Sequence, residues 1–240
     1  MMRINKFLAQ CGVASRRAAD DLIVQGRVAV NGQVIDTVGR VIDETKDEVA
    51  VDGRAVRPVS KYTYILLNKP GGVISSVTDP QGRKTVTQVL KGVEARVYPV
   101  GRLDLDTEGL LLLTDDGELA HRLTHPRYEI TKVYEATVAG KFGGSHAARL
   151  EKGVRLDDGA VGHAHVEILK QNTSQTEIRL TLTEGRKREV KQLCAAVGHP
   201  VRSLRRVAFA ALRDDHLGLG QWRELTSDEI ASLQQLVDLN

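Results

Sequence analysis

Residues Gly101–Thr114 read Gly-Arg-Leu-Asp-Leu-Asp-Thr-Glu-Gly-Leu-Leu-Leu-Leu-Thr. The leucine run has no polar face, so it belongs in a core. Its short length and glycine boundary fit a buried strand over Leu110–Thr114. The polar loop in front of it sets one carboxylate, Asp104, at the mouth of that strand. An aspartate in a loop is by itself a common turn former or cap, so the assignment of Asp104 depends on what the rest of the chain offers.

The 240 residues are enough for one or two domains with cores of their own. Aromatic residues make up only 4% of the chain, so Leu, Val and Ala must build the core and each Tyr in a polar setting is a candidate stacking platform. The formal charge is only +3, but it is unevenly spread. Residues 183–213 hold eight Lys/Arg against two Glu, whereas residues 214–240 hold one Arg against six acids. A basic block of this kind points to a polyanionic partner. Cys11 and Cys194 have neither pairing nor metal-ligand spacing and read as reduced core residues. Gln10, Arg16 and Arg17 interrupt any leader-like apolar stretch, and no run approaches membrane-spanning length; the expectation is a cytoplasmic protein with no membrane contact.

Ile4, Phe7, Leu8 and Cys11 recur at helical spacing and define a first helix, with Arg3 and Lys6 facing outward. Ser15 caps a second helix that turns Ala18, Ala19, Leu22 and Ile23 inward and ends at Gly26, placing Arg16 and Arg17 in its first turn. Two hairpins follow, at Asn31-Gly32 and Asp52-Gly53. The Pro-containing segment Arg57–Lys61 separates this pattern from the next, giving a small domain over 1–57, a linker over 58–61 and a larger domain over 62–240. In the larger domain strand-like runs at 64–67, 97–100, 110–114, 133–138, 163–169, 177–183 and 206–212 outnumber helices at 117–123, 147–152, 187–197 and 227–237. The fold class is α+β: a two-helix-plus-hairpin module followed by a mixed or antiparallel sheet, not a doubly wound parallel one.

Three blocks, taken in order, change the odds for Asp104. They are the aspartate loop, Thr131-Lys-Val-Tyr134 and Glu184-Gly-Arg-Lys-Arg-Glu-Val-Lys191. Together with the Asn68-Lys-Pro-Gly-Gly72 turn, this arrangement resembles the pseudouridine synthases that modify ribosomal RNA, in the branch of the RsuA and RluB types. The N-terminal module is similar to the small RNA-binding domain first seen in a ribosomal protein. The resemblance covers nearly the whole chain and leans to the large-subunit RluB type over the small-subunit type. It implies that a uridine is flipped out of its stack and isomerised without a cofactor or metal. The bond from ribose C1′ to N1 breaks and one from C1′ to C5 forms.

The same resemblance maps the catalytic aspartate onto Asp104, attacking C1′ or assisting loss of the 2′ proton. It places Tyr134 against the flipped base, where stacking is worth roughly 1–3 kcal/mol. Lys191 falls where a basic residue pairs with the catalytic carboxylate; an adjacent cation favours an ionised acid. Asp106, two residues on in an extended loop, points away from it. Val190, Leu193, Cys194 and Val197 form an apolar helix stripe, with Lys187, Arg188 and Lys191 on a neighbouring face. Arg3, Lys6, Arg16, Arg17 and Arg27 are expected at phosphates. Arg186 and Arg188 serve the RNA near the site, Arg102 wedges into it or holds a phosphate, and Lys69 serves its backbone or frames the turn. The partner is ribosomal RNA, free or in a pre-ribosomal particle, and the enzyme is a monomer.

Competing readings are weaker. A haloacid-dehalogenase-type phosphatase needs Thr where Glu108 stands, and Gly101-Arg102 breaks the strand that should precede its first aspartate. His163 and His165 share a strand face but have no third ligand nearby. A glycosidase built on Asp104 and Asp106 has no other support in the chain. The alternative from another class is a non-catalytic RNA-binding or ribosome-assembly protein. It has no use for an acid facing a phosphate backbone.

Overall fold

The structure, a computed structural model, describes residues 1–239. It divides into two compact units. The first comprises Met1–Thr63 with Glu94–Arg96 and Asp115–Gly117, and the second comprises the remainder.

In the first unit β1 (Met2–Arg3) leads into α1 (Ile4–Gln10), which buries Ile4, Phe7 and Leu8; Cys11 follows the helix and is only half-buried. α2 (Arg16–Val24) begins where the sequence places it, because Ser15 Oγ accepts the Ala18 N–H at 3.2 Å. Such a cap is worth about 1 kcal/mol. Ala19 and Ile23 are fully buried, whereas Ala18 and Leu22 lie at the edge of the cluster. β2 (Val28–Val30) and β3 (Gln33–Ile35) are joined by Asn31 and Gly32 at φ 51° and 78°. Two successive positive φ values give the tight turn whose twist matches the strands. β4 (Val41–Ile42) pairs with β1, and β5 (Val49–Val51) turns into β6 (Arg54–Ala55) through Asp52 and Gly53 at φ 50° and 75°. The order β3-β2-β5-β6 gives a small antiparallel sheet with Val28, Val30, Val49 and Val51 inward. The segment expected as a linker is tied to α1, since the Val59 N–H donates to the Gln10 carbonyl at 3.1 Å.

The second unit runs β7 (Tyr64–Lys69), α3 (Val86–Val89), β8 (Tyr98–Pro99), β9 (Glu108–Thr114), α4 (Gly117–Thr124), β10 (Lys132–Ala139) and α5 (Gly144–Lys152). It continues with β11 (Val154–Arg155), β12 (Val161–Gly162), β13 (His165–Gln171), β14 (Gln175–Leu182), α6 (Glu189–Ala196), β15 (Val201–Phe209), β16 (Leu212–Arg213), β17 (Trp222–Glu224) and α7 (Ser227–Gln235). The main sheet has the order β13-β14-β10-β15-β9-β7-β17, with β8 on β9 and β16 on β15. Every pair in it is antiparallel except β9 with β15. The fold is therefore α+β with a mixed sheet, as the sequence implies. The last core strand begins earlier than its expected start at 206, because the alternation of burial extends back to Leu204 and the pairing with β10 to Val201; it turns at Ala210, at φ 52°.

Leu110–Leu113 are at most 1% exposed, so β9 is an interior strand covered on both faces. Its parallel neighbour, β15, meets it over two positions, Arg205 opposite Glu108 and Arg206 opposite Gly109. The approach is close: a Cβ on Gly109 would lie 2.2 Å from the Arg206 carbonyl oxygen, and Gly109 has φ 107°. Glycine is required there on both counts. Gly109→Ala is expected to destabilise the chain by roughly 3 kcal/mol or more, read as a lower denaturation midpoint; a native midpoint would mean that the two strands can move apart at no cost.

Candidate active site

The Asp104 loop hangs from the turn after β7. Ser75, itself buried, brackets Leu103: its Oγ accepts the Leu103 N–H at 3.0 Å and donates to the Leu103 carbonyl at 2.9 Å. Two residues on, the Leu105 carbonyl accepts the Gly72 N–H at 2.8 Å and the Lys69 Nζ at 3.4 Å. The Thr107 N–H closes the loop on the Asp104 carbonyl at 3.1 Å. Asp104 is thus held by backbone contacts on either side of it, with its own side chain left one-third exposed. Lys69 is a correction to the sequence reading. It is fully buried and cannot lie along an RNA backbone; it frames the turn, donating also to the Pro70 carbonyl at 2.9 Å. Burial holds its ammonium down to about 8, against the pull of Glu108, Asp106 and Asp104.

Asp104 and Tyr134 line one cleft of about 540 Å3, together with Thr107, Leu182, Leu204 and the segment Glu184–Val190. Tyr134 is carried there by β10, half-buried and next to the core. Lys191 comes from α6, its side chain 14% exposed, and its Nζ lies 3.5 Å from Asp104 Oδ2. The three residues singled out in the sequence therefore converge. Asp106 does not point away, however. Its Oδ1 receives the Lys191 Nζ at 2.5 Å, closer than Asp104 does. That hydrogen bond, with the charge of the lysine and of Arg188, holds the Asp106 carboxyl below the usual range.

α6 packs Val190, Leu193 and Cys194 inward as expected, with Val197 just beyond it, and burial pushes the Cys194 thiol up to about 12. The helix begins only at Glu189, because Arg188 adopts the left-handed conformation at φ 55°. Lys187 and Arg188 thus sit in the preceding loop instead of on the helix face, exposed on the wall of the cleft. Glu189 shapes that loop by accepting the Arg186 N–H at 2.9 Å, and burial raises its carboxyl above the usual range. Arg186 is in turn held by Glu184 at 2.6 Å and Asp158 at 3.4 Å.

A neighbouring cleft of about 450 Å3 shares Arg102, Tyr134 and Arg186 with the first and adds Lys132, His125 and Arg206. Sequence reasoning missed Lys132 and Arg206. Lys132 ties the start of β10 to the basic loop through the Ile130 and Thr183 carbonyls, at 2.7 and 2.9 Å, and burial lowers its ammonium to about 8. Arg206, 2% exposed, donates to the Leu110 carbonyl at 2.7 Å and lies over the Phe209 ring. In the first unit Arg3, Arg16, Arg17 and Arg27 are exposed and Lys6 is half-buried; Arg27 is engaged by Asp52 through paired hydrogen bonds. His165 and His163 contact the Glu151 carboxylate and carbonyl, and among the described residues no three His, Cys, Asp or Glu side chains gather as a metal site.

A family profile described as RNA pseudouridylate synthase matches residues 63–196, more than half of the chain. The chain belongs to the RNA pseudouridine synthase family. A second profile, the S4 domain, matches residues 2–49 of this synthase. The chain is 45% identical to an uncharacterized RNA pseudouridine synthase of Aquifex aeolicus, over 99% of its length and 96% of the relative's. It is 44% identical to the ribosomal large subunit pseudouridine synthase B of Bacillus subtilis, over 99% and 98% of the two chains. A solved pseudouridylate synthase, 31% identical, superposes with a TM-score of 0.69 over 97% of this chain and all of its own.

In this synthase Ser75→Ala strands both polar groups of Leu103 in a buried setting, at a cost of about 1–3 kcal/mol. The expected signature is faster amide exchange at Leu103–Thr107 and slower turnover with unchanged RNA affinity. Native exchange rates in the variant would remove Ser75 as the anchor.

Proposed function

We propose that this synthase converts one uridine of ribosomal RNA to pseudouridine, with Asp104 acting at the ribose, Tyr134 stacking on the flipped base and Lys191 pairing with the aspartate. The observation that carries the reading is the convergence of these three side chains from β10, α6 and the loop before β9, with Asp104 and Tyr134 on the wall of one cleft and Lys191 at 3.5 Å from the acid. The preference for large-subunit RNA rests on the name of the Bacillus subtilis relative.

The chemistry suits the groups present. The reaction is an isomerisation: one glycosidic bond breaks, the uracil turns in place, a carbon–carbon bond forms and a proton leaves C5. An accessible carboxylate beside the sugar serves either as the nucleophile at C1′ or as the base at the 2′ position. The cleft holds the detached uracil against the Tyr134 ring while it turns. The exposed cations Arg102, Arg186, Lys187 and Arg188 on the cleft wall suit the phosphates flanking the target nucleotide. In this reading residues 1–57 form a docking module that meets RNA through Arg3, Lys6, Arg16, Arg17 and Arg27, residues 58–61 connect it and residues 62–240 carry out the reaction. The enzyme works as a monomer in the cytoplasm, on RNA that is free or within a pre-ribosomal particle.

Chemical mapping of pseudouridine in ribosomal RNA, with and without the gene, tests the reaction and its target together. One site should vanish, return with the native gene and stay absent with Asp104→Asn, which should still bind RNA. An unchanged map, or a site restored by the variant, would refute the assignment. Replacing both Arg16 and Arg17 with Gln should weaken RNA binding and flatten the plot of log affinity against log salt by roughly one unit per lost phosphate contact, leaving single-turnover rates at saturating enzyme as they were. An unchanged salt slope would take these arginines off the RNA.

A further inference from the structure

Two carboxylates compete for one ammonium at the mouth of the cleft. Lys191 Nζ lies 2.5 Å from Asp106 Oδ1 and 3.5 Å from Asp104 Oδ2, so its short, charge-assisted hydrogen bond is made to the residue that does not line the cleft. Asp106 is 72% exposed, and neither the loop nor the core requires a carboxylate there. The arrangement leaves Asp104 beside a cation without committing its oxygens to it.

We infer that Asp106 is a positioning residue: by holding Lys191 it prevents a tight Lys191–Asp104 pair and keeps the Asp104 oxygens free to act on the ribose. This rests on the reading of Asp104 as the reacting acid. A carboxylate that receives a short ammonium hydrogen bond is a poorer nucleophile and a poorer base, because the donor stabilises the lone pair that must attack. Lys191 has no other carboxylate within ion-pair distance among the described residues. With Asp106 neutralised, its nearest charged partner is Asp104.

Asp106→Asn tests this, since it keeps the shape and removes the charge at a largely exposed position. Single-turnover rates at saturating enzyme are expected to fall roughly 10- to 100-fold, while RNA affinity holds or tightens. The other charged groups around the triad, Lys69 and Glu108 from the β7 and β9 ends and Arg188 before α6, are the same in both proteins. Asp106→Glu should recover much of the rate. A merely structural role for Asp106 would be met by the isosteric Asn and not by the longer Glu, so a native rate in Asp106→Asn, or no recovery in Asp106→Glu, overturns the inference. The Asp104→Asn variant, run alongside, separates the two claims: if it turns over, the reading of Asp104 fails, and if it is inert while Asp106→Asn is native, only the positioning role fails.

Discussion

The close crossing of β9 and β15 at Gly109 and Arg206 is the constraint on which the catalytic unit depends. Backbones that approach this tightly leave no room for a side chain, and the Arg206 guanidinium then fastens the strands by donating to the Leu110 carbonyl. β15 also pairs with β10 along most of its length, so a single contact fixes the end of the Asp104 loop relative to the strand that carries Tyr134. α6 packs into one core with β10 and β14 and brings Lys191 to the same point. The site is therefore assembled from three distant stretches of chain, none of which places its functional group alone.

The loop itself is controlled from a fourth stretch. Ser75, Gly72 and Lys69 all address the backbone of Leu103 and Leu105, so the two residues flanking Asp104 are held while its side chain faces the cleft. A reacting group needs a rigid base and a free tip. Here the base consists of main-chain hydrogen bonds, which depend little on the side chains at 103 and 105 beyond their burial or exposure. Asp104 is in this respect more tightly built in than its one-third exposure suggests.

Much of this was legible in the sequence where the cause is local. Ser15 caps because its hydroxyl reaches three residues ahead, and Asn31-Gly32 and Asp52-Gly53 turn because those residues tolerate positive φ. The leucine run declared an interior strand, and the three motif blocks declared their convergence through family resemblance. What escaped was decided by tertiary contacts. Asp106 was expected to turn away by strand alternation, but the loop is not extended there and the lysine pulls it in. Arg188 looked like a helix residue by charge and spacing, yet its left-handed backbone holds it outside and the helix begins only at Glu189. Lys69 and Arg206 are cations whose type predicts exposure, and only the carbonyls that receive them explain their burial.

The burial of Lys69 also bears on how the loop can be watched. An amine held down to about 8 is largely in its reactive, uncharged form at mildly alkaline pH, but with no solvent exposure it is closed to acylating reagents. Lys69 is thus a built-in reporter: it stays unlabelled while the turn is shut and becomes open to reagent, as an ordinary solvated lysine, only when the turn opens, so its labelling follows the opening of the segment on which the Asp104 loop hangs.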